Sequence, residues 1–275
     1  MSETSTVAGA LAQAKAAGID RLDAQLLLGH LLARPRTWLL AHDDAGLDTA
    51  QHEAFRRLLG RRADGEPVAY LVGEIAFHGL ALQVDANVLV PRPDTELLVD
   101  WAIELLAADA PRRVVDLGTG SGAIALAVKH ARPGVTVLAT DISDAALAVA
   151  RANAAHLGLD VVIQHGAWWL GLDGQRFDLV LSNPPYIASG DPHLAALQHE
   201  PMLALTPGGD GVDALREIVA GAPEHMVRGA WILLEHGYDQ GEAVQALLRA
   251  QGFNGVETRR DLGGRARCTG GRHDP

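Results

Sequence analysis

A single cysteine, Cys268, stands among 275 residues, so no internal disulfide can form and a reducing, cytoplasmic setting is expected. The 12 histidines include no H-E-x-x-H, and no cysteine pair exists, so a metal site is not expected. No G-x-S-x-G elbow occurs, so serine hydrolase chemistry has no support. Apolar runs fall short of the ~20 residues a membrane span needs. With Glu3 among the first residues and no cation before Lys15, no signal peptide is expected. Lys and Arg number 23 against 34 acids, a net charge of −11. A broad nucleic-acid surface would carry clustered cations instead. No internal repeat or low-complexity stretch is found. What is left is a globular chain with a normal 48% of hydrophobic residues, long enough for one large domain or two smaller ones.

The tetrapeptide Asn183-Pro184-Pro185-Tyr186 carries the most information. It follows the apolar run Phe177–Ser182, which reads as a buried parallel strand. Adjacent prolines lack N–H groups and fix φ, so neither strand nor helix continues through them. The segment is therefore a rigid elbow at the carboxyl end of a strand, where open α/β sheets place ligands. Asn183 offers a carbonyl oxygen and an NH2 group, Pro184 a bare carbonyl and Tyr186 an aromatic face. Together they suit a planar group bearing an NH2.

Upstream, Val114-Val115-Asp116-Leu117-Gly118-Thr119-Gly120-Ser121-Gly122 leads into the apolar run Ala123–Val128. This reads as strand, glycine-rich turn and helix, with backbone free to approach a ligand and helix N–H groups behind it. A second strand, Val135–Thr140, ends in Asp141, placed to accept hydrogen bonds from ribose hydroxyls. The turn also fits the dinucleotide fingerprint G-x-G-x-x-G/A, so taken alone it leaves NAD open. The elbow after the fourth strand weighs against that, because a dehydrogenase has no use for an amide grip there.

Residues 1–65 read as a helical domain with an apolar block at Leu22, Leu26, Leu27, Leu28, Leu31 and Leu32, and Asp48-Thr49 caps the stripe of Phe55, Leu58 and Leu59. Residues 66–92 carry a β-hairpin signal running from Val68 to Val90, a linker between domains. Asp94 is a candidate N-cap for the helix with Leu97, Leu98 and Trp101. Residues 93–275 alternate helix and strand. A third strand is expected at Val161–Ile163, a fifth at Trp231–Leu234 and a helix at Glu242–Leu248. Strands near Val256–Thr258 and Cys268-Thr269 are expected at the sheet edge. Trp168 and Trp169 follow the third strand; both could fill a core, and Trp168 is a candidate neighbour of an adenine ring. His236 suits structural hydrogen bonds. Arg92 and Glu96 each read as a member of a surface ion pair, or together as borders of a substrate channel.

These motifs resemble known enzymes. The glycine turn with Asp141 looks like the S-adenosylmethionine site of class I methyltransferases. Asn183-Pro184-Pro185-Tyr186-Ile187 looks like the signature shared by adenine-amino DNA methyltransferases and protein glutamine methyltransferases. Gly65-Glu66-Pro67-Val68-Ala69-Tyr70, Pro91-Arg92-Pro93-Asp94-Thr95-Glu96 and Leu234-Glu235-His236-Gly237 resemble only the second group, the release factor glutamine methyltransferase (PrmC/HemK) family, and the likeness covers nearly the whole chain. The resemblance implies an α/β fold: a class I (Rossmann-like) S-adenosylmethionine-dependent methyltransferase sheet with a small helical N-terminal domain and a β-hairpin linker. It implies that Gly118, Thr119, Gly120, Ser121, Gly122, Asp141, Trp168 and Asn183 bind S-adenosyl-L-methionine. Asn183, Pro184, Pro185 and Tyr186 would hold the substrate glutamine, with Asn183, Pro184 and Tyr186 catalytic. The implied partner is a peptide chain release factor, through its Gly-Gly-Gln loop. No direct nucleic-acid binding, no membrane and a monomeric state are expected. Two departures stand out. Ala167 replaces an acid that often precedes the tryptophan in this family, and Cys268 replaces a valine, either of which fits an edge strand. Rival functions are a DNA or RNA adenine-amino methyltransferase, which would need a basic target-recognition domain; an NAD oxidoreductase; and a silent cofactor-binding module docking on release factors.

Overall fold

Along the strand Arg113–Leu117 every residue after the first is buried, as in a parallel strand covered on both faces. Alternate side chains feed two cores. Val114 joins Leu179, Leu181 and Leu233 on one face, and Val115 and Leu117 join Val180, Ile232 and Leu234 on the other. This computed structural model describes residues 5–106 and 112–274. Glu3, used above to read the N-terminus, lies outside the described residues.

Seven strands form the main sheet: β1 (Arg113–Leu117), β2 (Thr136–Asp141), β3 (Val162–His165), β4 (Phe177–Ser182), β5 (Met226–Glu235), β6 (Asn254–Arg260) and β7 (Ala266–Arg272). Their spatial order is β6-β7-β5-β4-β1-β2-β3, parallel except for β7, which runs antiparallel to both neighbours. Helices α1 (Glu96–Leu105), α2 (Ala123–Ala131) and α3 (Asp144–Leu157) contribute to the first core. Helices α4 (Asp213–Gly221) and α5 (Gly241–Ala250) contribute to the second. The strand order turns back between β1 and β4, so a crevice opens at their carboxyl ends, the usual ligand position of such sheets.

The chain divides into two compact units, Met1–Glu74 and Ile75–Pro275. In the first, helices Val7–Ala16, Arg21–Leu32, Arg36–Ala41, Thr49–Ala63 and Val68–Val72 surround a core of Leu27, Leu28, Leu39 and Phe55. Asp48 and Gln51 form a reciprocal capping box, with bonds of 2.8 and 3.0 Å. Leu22 and Leu26 of the apolar block are exposed, because the helix turns only one stripe inward.

Several expectations are corrected. Val68–Val72 is a short helix ending at Gly73, where φ is 81°, so the segment expected as a linker is shared between the units. The hairpin is confined to Glu74–Phe77 and Leu80–Gln83. Its turn residues His78 and Gly79 both have positive φ, 46° and 78°. Val88–Val90 is not strand: the Val90 N–H donates 3.0 Å to the Glu200 carboxylate instead of to a ladder. Asp94 lies within a 3-10 turn, Pro93–Thr95, and pairs at 3.0 Å with Arg267 rather than capping α1. Strand β7 is interior, with Cys268 and Thr269 fully buried, and only β6 lies at that edge.

Candidate functional site

The glycine turn is held by backbone bonds between two strand ends. The N–H groups of Gly118 and Thr119 both donate 2.9 Å to the carbonyl of Thr140 on β2. This pulls the chain into the left-handed region, with φ of 73° at Gly118, 55° at Gly120 and 85° at Gly122. A Cβ on Gly118 would lie 3.2 Å from the Trp168 ring, whereas one on Gly120 would meet nothing within 4 Å. Asp141 closes the turn. Its Oδ2 accepts from Gly120 N and its Oδ1 from Ser143 N, each at 2.9 Å.

Beneath this surface sits Asp116, fully buried on β1. Its Oδ2 accepts from the Thr119 hydroxyl at 2.6 Å and from Ala125 N at 3.3 Å. Among the described residues its Oδ1 has no hydrogen-bond partner. Burial pushes this carboxyl up to about 7, against the pull of the Thr119 bond. Asn153 of α3 locks the turn from the far side. Its amide donates to Ser121 O at 2.9 Å and exchanges bonds of 2.7 and 3.0 Å with Gln83 of the hairpin.

Two cavities flank the elbow. One, of about 360 Å³, is lined by Gly118, Thr119, Gly120, Ser121, Asp141, Trp168, Asn183 and Pro185. The other, of about 290 Å³, is lined by Arg92, Asn183, Pro184, Tyr186 and Leu197 among others. Asn183 belongs to both walls. Gly122 lies outside both linings; it packs against Leu126 and Ala150 and starts α2. Trp168 faces the first cavity, with φ of 46°. Trp169 turns into the core, donating 3.0 Å to Ile218 O and stacking on His225 at 4.7 Å.

The elbow rests on polar groups drawn from distant parts of the chain. Asn183 Nδ2 donates 3.2 Å to Thr95 Oγ1. The Tyr186 hydroxyl donates 3.4 Å to Glu235 Oε1 at the end of β5. Burial pushes the Glu235 carboxyl up to about 7, while the Thr95 hydroxyl and the Arg267 cation pull it down. Burial also holds the Tyr186 phenol well above its ordinary value. His236 bonds Gly237 O and Thr269 Oγ1 at 2.8 and 2.7 Å, a structural role as expected. Arg92 pairs with the buried Glu200, not with Glu96, whose Oε1 accepts from His78 N at 2.7 Å. Gly211, at φ 82°, is required where a Cβ would stand 2.5 Å from the Tyr186 carbonyl.

Thr95 and Glu235 stand in recognisable motifs, yet sequence assigns them no role. Glu200, Asn153 and Arg267 stand in none, and nothing local in the sequence announces them. The first cavity fits a nucleoside that carries a charged tail. It has a backbone cradle, lone pairs left on the Asp141 carboxylate and an aromatic wall in Trp168.

Two family models match the chain: "PrmC N-terminal domain" over residues 6–73 and "Methyltransferase small domain" over residues 94–210. The release factor glutamine methyltransferase of Xylella fastidiosa (strain Temecula1) is 51% identical over 266 residues, spanning 96% of this chain and 97% of that one. The protein of the same name from Bordetella pertussis is 50% identical over 257 residues, 92% and 95% of the two chains. Among solved structures, a methyltransferase from Pyrococcus furiosus is 17% identical, with a TM-score of 0.56 over 72% of this chain and 90% of that chain. That likeness speaks to the fold alone.

Proposed function

The chain belongs to the release factor glutamine methyltransferase family, and on that premise we propose that it methylates the side-chain amide nitrogen of a glutamine in peptide chain release factors, using S-adenosylmethionine. The observation that carries the reading is Asn183, which lines both cavities with Leu89, Arg92 and Ala204 and alone of the four carries an amide. A donor in the larger cavity and an amide in the smaller one would meet at this residue.

The larger cavity would take the cofactor, with Gly118, Thr119, Gly120 and Ser121 along its tail, Asp141 on the ribose hydroxyls and Trp168 beside the adenine. When bound, the cofactor supplies an electrophilic methyl group. An amide nitrogen is a poor nucleophile because its lone pair is delocalised into the carbonyl. Asn183 Oδ1 and the Pro184 carbonyl would accept its two N–H bonds and turn its π face toward the donor. Tyr186 would confine the amide plane, and Pro185 lines the cofactor side of the same elbow. No strong base is needed beforehand, because the proton can leave once the nitrogen has become cationic. These residues then act by positioning, for which effective molarities of about 10⁵–10⁸ M are the upper range. A glutamine flanked by glycines, as in a Gly-Gly-Gln loop, could reach down a narrow pocket.

The test is incubation with labelled S-adenosylmethionine and either a release factor or duplex DNA. Label on the release factor glutamine is the expected result. Label confined to DNA would overturn the reading.

A further inference from the structure

Gln240 stands at the N-cap of α5, a place where short polar side chains usually bond the first free N–H groups of a helix. Its side chain makes no such bond. It reaches away from the helix instead. Its Oε1 accepts from Gly237 N at 2.9 Å, and its Nε2 donates to Tyr186 O at 3.0 Å and to Gly211 O at 3.5 Å. The oxygen and nitrogen of an amide are told apart by their partners. Here every partner is main chain: the N–H can only donate and the carbonyls can only accept, so the amide has one orientation. Gly211 leaves room for this meeting, since a Cβ there would stand 2.5 Å from Tyr186 O and 3.1 Å from Gln240 Nε2.

The segment after β5 thus holds Tyr186 twice, by its carbonyl through Gln240 and by its hydroxyl through Glu235 at 3.4 Å. Between the two points of attachment lies the ring, which lines the smaller cavity together with Asn183 and Pro184. Gln240 lines neither cavity, and Tyr186 does not line the larger one. We propose that Gln240 is a positioning residue for methyl transfer: it clamps the Tyr186 carbonyl and so sets where the ring stands against the acceptor amide. This rests on the glutamine methyltransferase reading of the site. The clamp bears on the acceptor side alone, so its loss should separate methyl transfer from cofactor binding.

The experiment compares wild type, Gln240→Glu, Gln240→Met, Tyr186→Ala and the double variant Tyr186→Ala/Gln240→Met. Circular dichroism and urea midpoints check each fold, calorimetry measures S-adenosylmethionine binding, and single-turnover methyl transfer is followed at saturating release factor. Gln240→Glu keeps the length of the side chain and the acceptor for Gly237 N, and removes only the donor to Tyr186 O. Both Gln240 variants should bind cofactor within about threefold of wild type and transfer methyl about tenfold more slowly, the scale of one lost hydrogen bond and a misplaced contact. In the Tyr186→Ala background there is no ring to misplace, so Gln240→Met should then change the rate by less than about twofold. Should Gln240→Met lose its urea transition, the same cycle is run with Gln240→Glu. If wild type methylates the release factor and Gln240→Glu matches its rate, the clamp plays no part. A tenfold loss that persists undiminished in the Tyr186→Ala background, or a loss of cofactor affinity as large as the loss of rate, would overturn the proposal as well, because Gln240 would then support the fold at large. If wild type itself leaves the release factor unlabelled, the functional reading falls first and takes this proposal with it.

Discussion

The two cavities are built from different materials. The walls of the larger one at β1 and β2 are mostly backbone: glycines at positive φ, N–H groups bound to Thr140 O, and one carboxylate, Asp141, tying Gly120 in place. Side by side in the chain, these parts form a local motif. The elbow beside the smaller cavity instead rests on side chains brought from far apart, with Thr95 bonded to Asn183, Glu235 to Tyr186, and the Arg267 cation acting on Tyr186 and Glu235. The difference teaches that a cradle for a fixed small molecule can be written in one stretch of sequence. A grip on an incoming protein side chain draws its stiffness from a buried polar network, which is costly unless fully satisfied.

The comparison breaks most sharply at Asn183. Asn183→Ala should keep cofactor affinity within about threefold yet slow single-turnover methyl transfer by about 10²-fold or more, the scale of losing a preorganised polar group. Equal loss of both would mean that the two cavities are not functionally separate. Asn183→Asp keeps the acceptor oxygens, so it should retain more activity than Asn183→Ala.

Next in size is Gly118→Val, which meets both positive φ and the Trp168 ring. Its S-adenosylmethionine affinity should fall at least about tenfold in calorimetry, given backbone strain of about 1–3 kcal/mol, with circular dichroism unchanged. Gly120→Val faces open space and strain alone, so its own steric conflict should be with the bound ligand only. An unaffected Gly118→Val would place the cofactor elsewhere.

Asp141→Ala should weaken cofactor binding by about 1–3 kcal/mol, the penalty for unpaired groups. The N–H of Gly120 loses its partner in the same change. Cofactor affinity identical to wild type would remove Asp141 from the site.

The smallest effect concerns stability. The Asp116 carboxyl is raised to about 7 in the fold, so between about pH 4 and about pH 7 the folded state holds more protons than the unfolded one. Its contribution to stability is therefore full at low pH and is lost as pH rises through about 7. The urea midpoint of wild type should drop more between about pH 5 and about pH 8 than that of Asp116→Asn. Parallel profiles for the two proteins would show that Asp116 does not titrate there.

Much of the fold was legible. Apolar runs at 114–117, 137–140 and 177–181 are buried on both faces, so they stand out without regard to partner. The glycine turn and the proline elbow stand out because their backbones exclude regular structure. What was not legible depended on tertiary choice. Val68–Val72 is β-branched and aromatic enough to suggest a strand, but Pro67 at its N-cap and Gly73 at its C-cap frame one helical turn. The interior place of β7 cannot be read from a run as mixed as Ala266–Arg272, in which five of seven residues are glycine, arginine or threonine. The pairing of Arg92 with Glu200 spans 108 positions and has no local signature.

Strand β7 also bears on the order of events during synthesis. It is made after every other strand of the sheet, yet it must enter between β5 and β6, pairing with both. Until then β5 presents an unpaired edge, and Glu235 and Asp94 lack the charge of Arg267. A nascent chain short of β7 therefore carries both motifs in its sequence while its sheet remains open. Such edges favour association with other chains. Closing the sheet and supplying that cation to the elbow are thus a single late event, and a chain truncated before residue 266 would have its motifs but not its finished site.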